Sequence, residues 1–166
     1  MIVEVGFKLD KKLKVYHNML LKHGLKQVFK TQTHDLYFSK SDCFDGLTEN
    51  QIKNACIRIR NPKDNTEEIE LLQSGYKKVF DTTKLDYHYA NTNMKSRIQL
   101  QIIEKIGLVV YYDNPDYYDY PLDKQRKYLI DELNAHGFNF DYNQLGIDKL
   151  RTLYYGREMF SKNQNG

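Results

Sequence analysis

The chain has 166 residues, with 25 Lys and Arg against 22 Asp and Glu and a formal net charge of +3. A charge so near balance excludes wholesale electrostatic attraction to nucleic acid or a membrane surface and leaves only local patches to consider. No apolar run reaches the ~18 residues that span a bilayer.

The opening MIVEVGFKLD lacks the basic region and apolar core of a signal peptide. Cys43 and Cys56 are too few for a disulfide framework and show no metal-ligand spacing. The expected setting is a reducing cytoplasm, with both thiols structural. The length predicts one domain, residues 1–160, followed by a frayed tail at 161–166.

Val3, Val5 and Phe7 alternate with Glu4, Gly6 and Lys8, which predicts a first strand with one polar face. Asp10 is the expected N-cap of a helix whose stripe is Leu13, Tyr16, Leu20 and Leu21 and whose stop is Gly24. His17 and His23 on that helix read as surface residues. Leu25 to Phe38 predicts a long strand, and 39–51 a loop. In the next strand Ala55, Ile57 and Ile59 take one face, and Cys56, Arg58 and Arg60 the other, until Asn61-Pro62 breaks it.

Residues 67–73 and 84–90 predict two more strands. A second helix is expected from Asn93 or Ser96 to Gly107, with Ile98, Ile102, Ile103 and Ile106 as its stripe. Leu108 to Asp113 predicts a strand, with Tyr117 to Tyr120 as a short partner across Asn114-Pro115. A third helix, Leu122 to His136, stops at Gly137, and a last short helix is expected around 147–155. The class is α+β: an antiparallel, strongly curved sheet forming an open or closed tunnel-like barrel, with helices packed outside.

Two strands carry the chemistry. Glu4 and Lys8 share a face, and so do Arg58 and Arg60. Such faces are either solvated sheet surface or an anion site, since guanidiniums about 7 Å apart along a strand can grip adjacent phosphates. A nearby carboxylate would then hold Mg²⁺ bridging phosphate oxygens. If Arg58 and Arg60 are two close like charges, the unliganded protein is expected to tolerate their removal. Asp113, Asp116 and Asp119 lack the glycine and terminal glutamate of a calcium loop and read as a solvated hairpin.

In order along the chain, Glu4-x-Gly6-x-Lys8 resembles the E-x-E-x-K first strand of the CYTH superfamily, the triphosphate tunnel metalloenzymes. Asp35-Leu36-Tyr37-Phe38 resembles that family's D-x-Y-F strand, and Ala55-Cys56-Ile57-Arg58-Ile59-Arg60 its L-R-I-R strand. IQLQIIEKIG is similar to the helix before the second half of the tunnel. The resemblance covers residues 2 to about 110.

It implies an eight-stranded antiparallel tunnel in which Lys8, Arg58, Arg60 and Lys77 bind phosphate. Glu4, with Asp86 or Asp119, would bind Mg²⁺ or Mn²⁺. Relatives hydrolyse inorganic triphosphate, thiamine triphosphate or RNA 5′-triphosphates, and others cyclise ATP. The implied function is metal-dependent hydrolysis of a triphosphate compound. The alternatives are a non-catalytic polyphosphate- or nucleotide-binding module, or adenylate cyclase-like activity. The partner is a small triphosphate or polyphosphate, with no membrane, and with nucleic acid only as a 5′-triphosphate RNA end. The chain departs from the pattern in four places: Gly6 stands where the second Glu belongs, Gln73 lies near the place of a fourth-strand lysine that Lys77 or Lys78 offers only a little later, His88 replaces an acidic residue, and YYDNPDYYDY has no Arg or Lys.

Overall fold

The stretches that alternate cleanly become strands. The structure, a computed structural model, describes residues 3–41, 43–150 and 152–153. Six strands, β1 (Val5–Lys8), β2 (Lys26–Ser39), β3 (Ile57–Arg60), β4 (Lys77–Ala90), β5 (Ile98–Ile103) and β6 (Gly107–Tyr112), form an antiparallel sheet in the order β1-β6-β5-β4-β2-β3. The order is linear, with β1 and β3 as its edges, so the sheet is open rather than closed. Four helices complete the α+β fold: α1 (Leu13–Lys22), α2 (Glu49–Asn54), α3 (Thr66–Gln73) and α4 (Leu122–Ala135).

The chain divides into two compact units. The first takes in the described residues up to Thr31, with Leu85–Ile102 and Gly107–Ile147. The second takes in Gln32–Lys84, Ile103–Ile106 and the described residues from Asp148 on.

In the first unit the apolar stripes of α1 and α4 meet a core that includes Val5, Phe7, Ile98, Leu100 and Val110. Phe7 stacks on Phe140 at 4.4 Å, and Phe140 on Phe138 at 5.3 Å. Aromatic pairs of this kind contribute roughly 0.5–1.5 kcal/mol each beyond the area they bury. In the second unit Leu36 and Phe38 of β2 and Ile59 of β3 form a smaller cluster, flanked by Leu71 of α3 and by Tyr76.

Several expected elements are corrected. Residues 98–106 are not a helix but β5 and its turn into β6. Ile98, Leu100 and Ile103 are buried, whereas Ile102, which the expected helix stripe would bury, is 36% exposed. The β-branched isoleucines and the neighbouring strands favour the extended form. The turn needs left-handed backbone, supplied by Lys105 (φ 70°) and Gly107 (φ 110°). The helix likened to one preceding a second tunnel half is therefore this hairpin.

Residues 67–73 belong to α3 rather than to a strand. Glu67 and Glu68 occupy its first turn, where the helix dipole favours negative charge. The predicted loop 39–51 runs into α2, which opens on a capping box between Thr48 and Gln51. The expected strand 117–120 does not form: Pro115–Tyr117 is a single 3-10 turn, where the Asn114 side chain accepts from the Asp116 N–H, and 118–120 continue as turn and bend.

Asp10 does not cap α1. Lys12 is at that position, and Asp10 accepts the Tyr16 hydroxyl at 2.7 Å. His17 is half-buried, 2.7 Å from the Tyr89 hydroxyl, rather than a surface residue. Residues 149, 150, 152 and 153 are helical, in keeping with the last helix expected. The tail 161–166 lies outside the described residues.

Candidate anion site

The second unit gathers cations around one buried carboxylate. In the β2–β3 ladder Asp35 stands opposite Arg60, and Tyr37 opposite Arg58. Residues paired in this way share a face of the sheet. The opposite face of the same four-residue stretch carries Leu36, Phe38 and Ile59 into the core. Ile57, expected to be buried with Ile59, is 40% exposed at the start of the edge strand.

Asp35 is 1% exposed. Arg60 grips it with both prongs, Nε to Oδ1 at 2.8 Å and Nη2 to Oδ2 at 2.9 Å. Burial pushes the Asp35 carboxyl up, but the Arg60 hydrogen bonds and charge, with Lys149 and Arg58 beyond, outweigh burial and hold it below the usual value. Arg58 hydrogen-bonds the Tyr37 hydroxyl, whose pKa is raised by burial and by the Asp35 charge. Lys149 Nζ lies 5.9 Å from the centre of the Tyr37 ring. Burial lowers the Lys149 ammonium, Asp35 and Glu49 raise it, and Arg60 and Arg58 lower it.

Three cations, Arg58, Arg60 and Lys149, thus face one buried aspartate. Phe80 of β4 meets Tyr37 at 6.0 Å. Two residues along β4, on the face that Phe80 takes, Thr82 is 3% exposed and its hydroxyl has no partner. A buried hydroxyl without a protein partner is a group that bound water or a ligand would satisfy.

Lys77 is the exposed first residue of β4 and is not one of these three cations. Its neighbour Lys78 lies 3.6 Å from Glu68 and 3.7 Å from Asp81, which also meets His34 at 2.6 Å. Arg60 corrects the expectation that both arginines are dispensable to the unliganded protein, because its removal would leave Asp35 buried and charged. Burial pushes the Cys56 thiol up to about 11, which keeps it protonated and favours the structural reading.

The first unit holds the remaining predicted residues. Glu4 and Lys8 are exposed on either side of Gly6, and Asp119 is exposed after the 3-10 turn. Gly6 stands opposite Tyr111. A Cβ at Gly6 would lie 2.5 Å from a Tyr111 ring carbon and 2.9 Å from Ile147. The Ile147 N–H donates to the Gly6 carbonyl at 2.7 Å. The position where the resembled family carries its second carboxylate is therefore filled by a ring and a methyl group.

Asp86 is 6% exposed; Gln101 donates to its Oδ2 at 3.3 Å, and Oδ1 has no partner. His88 Nε2 is 3.1 Å from Oδ2 without hydrogen-bond alignment, and His88 Nδ1 is also unpartnered. Phe29 meets the His88 ring edge-on at 5.1 Å. Among the described residues no three His, Cys, Asp or Glu side chains form a group able to hold a metal ion, so Glu4, Asp86 and Asp119 are not brought into one. Glu4, Asp86 and Asp119, among the described residues, do not together make a carboxylate donor set for Mg²⁺ or Mn²⁺. Asp113 accepts from Ser96 and Tyr118, and Asp116 from Lys95 at 2.7 Å, so these two acids are engaged by side chains.

Asp35 and Tyr37 were visible in the sequence as a D-x-Y strand but not as site residues. No spacing rule connects Lys149 to them, because it arrives from the far end of the chain. Thr82 gives no signal before its burial is known. Among the described residues no helix is long and apolar enough to cross a membrane.

No family model and no curated protein matches the sequence. Solved structures do. The PH1012 protein of Pyrococcus horikoshii OT3 aligns over 84% of this chain and 92% of its own, at 16% identity and a TM-score of 0.54. A conserved hypothetical protein of Pyrococcus furiosus aligns over the same shares, at 15% identity and 0.54. A candidate adenylate cyclase of Vibrio parahaemolyticus aligns over 81% of this chain and 87% of its own, at 13% identity and 0.51. At such identities the likeness concerns fold alone: the chain shares the α+β architecture of these proteins, in keeping with the CYTH-like fold that its motifs imply.

Proposed function

We propose that this chain binds a polyphosphate-bearing anion, a small triphosphate compound or inorganic polyphosphate, on the face formed by Arg58, Arg60 and Lys149. The observation that carries the reading is the convergence of these three cations on Tyr37 and the buried Asp35. The Asp35 fork holds the Arg60 guanidinium in a fixed plane, so less side-chain freedom is lost when a phosphate arrives. Each charge-assisted contact is worth roughly 1.5–3 kcal/mol, about tenfold to a hundredfold in Kd.

Metal-dependent hydrolysis is the second reading. It is favoured by the unpartnered Asp86 oxygen and by a fold shared with a candidate adenylate cyclase. The scattered carboxylates favour binding over turnover.

Melting curves with tripolyphosphate, with and without Mg²⁺ or Mn²⁺, separate the two when combined with a phosphate-release assay. The expected result is a metal-independent stabilisation, absent from the Arg58→Ala/Lys149→Ala variant, with no phosphate released. Release that requires the metal and falls in Glu4→Gln or Asp86→Asn would establish hydrolysis instead, and cyclic AMP formed from ATP would establish cyclase activity. A protein that no triphosphate stabilises would end both readings.

A further inference from the structure

We propose that the free edge of β2, from Lys26 to Gln32, pairs antiparallel with the same edge of a second copy of this chain, the two Phe29 side chains meeting at the two-fold axis. β2 is a continuous strand of 14 residues, but β3 pairs only with its last part, Asp35 to Phe38. Asn61 extends that pairing by one residue. Its N–H donates to the His34 carbonyl at 2.7 Å, and the His34 N–H donates to its side-chain oxygen at 2.8 Å. Among the described residues no strand lies on that side from Gln32 back to Lys26, and all of this stretch except Thr31 is exposed. Val28 is 48% exposed and Phe29 47%. The β1 edge is treated differently, since the Ile147 N–H reaches the Gly6 carbonyl there at 2.7 Å.

An unpaired edge of this kind is a template for another strand, and register selects the occupant. His34 turns both backbone groups toward the open side. Alternate residues of a strand do the same, so Gln32, Lys30, Val28 and Lys26 offer their N–H and C=O groups there. A second β2 presents the matching set. Pairing Val28 with Lys30 of the second copy puts Lys26 opposite Gln32 and Gln27 opposite Thr31. Phe29 then falls on the axis, in a close pair without hydrogen bonds of its own. A shift of two residues one way sets Lys26 opposite Lys30. A shift the other way sets Lys30 opposite itself and Lys26 opposite His34, whose backbone Asn61 already holds. Like charges directly opposite are destabilising, whereas an aromatic pair in that place stabilises.

The edge lysines do not bar the contact. Lys30 Nζ lies 5.2 Å from the centre of the Tyr87 ring of β4, which draws it away from the open side. Lys26 and Lys30 of the two copies meet only on diagonals, so salt, which screens their repulsion, should tighten the dimer. A two-strand contact is small for an interface, and the expected Kd is on the order of 100 µM.

Sedimentation of the full chain from about 10 µM to about 1 mM should show a monomer–dimer equilibrium that salt shifts toward dimer. Val28→Pro removes a donor used only on the open side, and removes it twice in the dimer. It should weaken association at least about tenfold while the monomer keeps its circular dichroism. Oxidised glutathione reads the register in chains that also carry Cys43→Ser and Cys56→Ser. Phe29→Cys should link two copies, whereas Gln27→Cys, roughly 14 Å from its own counterpart, should not. A chain that stays monomeric throughout, a dimer that Val28→Pro leaves unchanged, or equal linking at 27 and 29 would overturn the proposal. Should Val28→Pro fail to fold, the two cysteine variants decide it.

Discussion

Asp35 and Asp86 are buried aspartates on neighbouring strands, each in its own unit, and they are treated in opposite ways. Asp35 has both oxygens in the fork of Arg60, and the charges of Lys149 and Arg58 act on it as well. Asp86 has one oxygen on the Gln101 amide at 3.3 Å and one without a partner. A buried acceptor left unsatisfied costs roughly 1–3 kcal/mol. The first aspartate organises cations while its own charge is compensated. The second is a local weakness that water or a ligand would relieve. Burial alone therefore does not mark a carboxylate as functional; the partner does.

The sharpest way to break this contrast is to remove the fork. Arg60→Ala should destabilise by about 3–5 kcal/mol, because it strands a buried charge. Urea unfolding of the unliganded variant measures it. The pH dependence should also change sign. In the intact protein Asp35 is held below its usual value, so its contribution is present above the ordinary carboxylate range and is lost as pH falls through the folded value. In the variant, burial dominates and raises the carboxyl, so lowering the pH should recover stability. A loss below 1 kcal/mol would mean that the pair is solvated surface.

Gly6 tests the first unit for room. Placing a Cβ 2.5 Å from the Tyr111 ring should cost about 1–3 kcal/mol in Gly6→Ala, as overpacking does. Restoring the carboxylate of the resembled family as Gly6→Glu should cost at least as much. A neutral Gly6→Glu variant would show that the ring yields and that a metal carboxylate can be accommodated.

A smaller effect is expected at Asp86. Asp86→Asn retains an acceptor for Gln101 and removes an ill-satisfied charge, so its stability should stay within about 1 kcal/mol of the parent or rise. A loss comparable to that of Arg60→Ala would place the two aspartates in the same class.

For Glu49→Gln the expected change depends on pH. A carboxyl raised to about 7 keeps its proton in the folded state, so stability falls as pH climbs from the ordinary glutamate range toward 7. The variant should therefore gain over the parent at about pH 8 and differ little at about pH 5, as read from Tm at each pH.

Periodicity by itself determined the elements long enough to express it. The stripe of α1, the 14 residues of β2, the alternation in β1, the Arg58–Arg60 face of β3 and the length of α4 all follow from residue spacing. It did not decide the short ones. IQLQII satisfies both a helix stripe and a buried strand, and EEIELLQ satisfies either a strand or a two-turn helix. In each, the neighbouring element settled the choice: flanking strands for β5, and the apolar face of β2 and β3 for α3.

The site divides in the same way. Arg58, Arg60, Asp35 and Tyr37 could be placed on faces from local alternation, since a period of two acts within one strand. The burial of Asp35 in the Arg60 fork, the arrival of Lys149 beside Tyr37, and the closing of Gly6 by Tyr111 and Ile147 required the tertiary fold. Each of these joins residues remote in sequence, and no local propensity records which distant side chain will fill a given space.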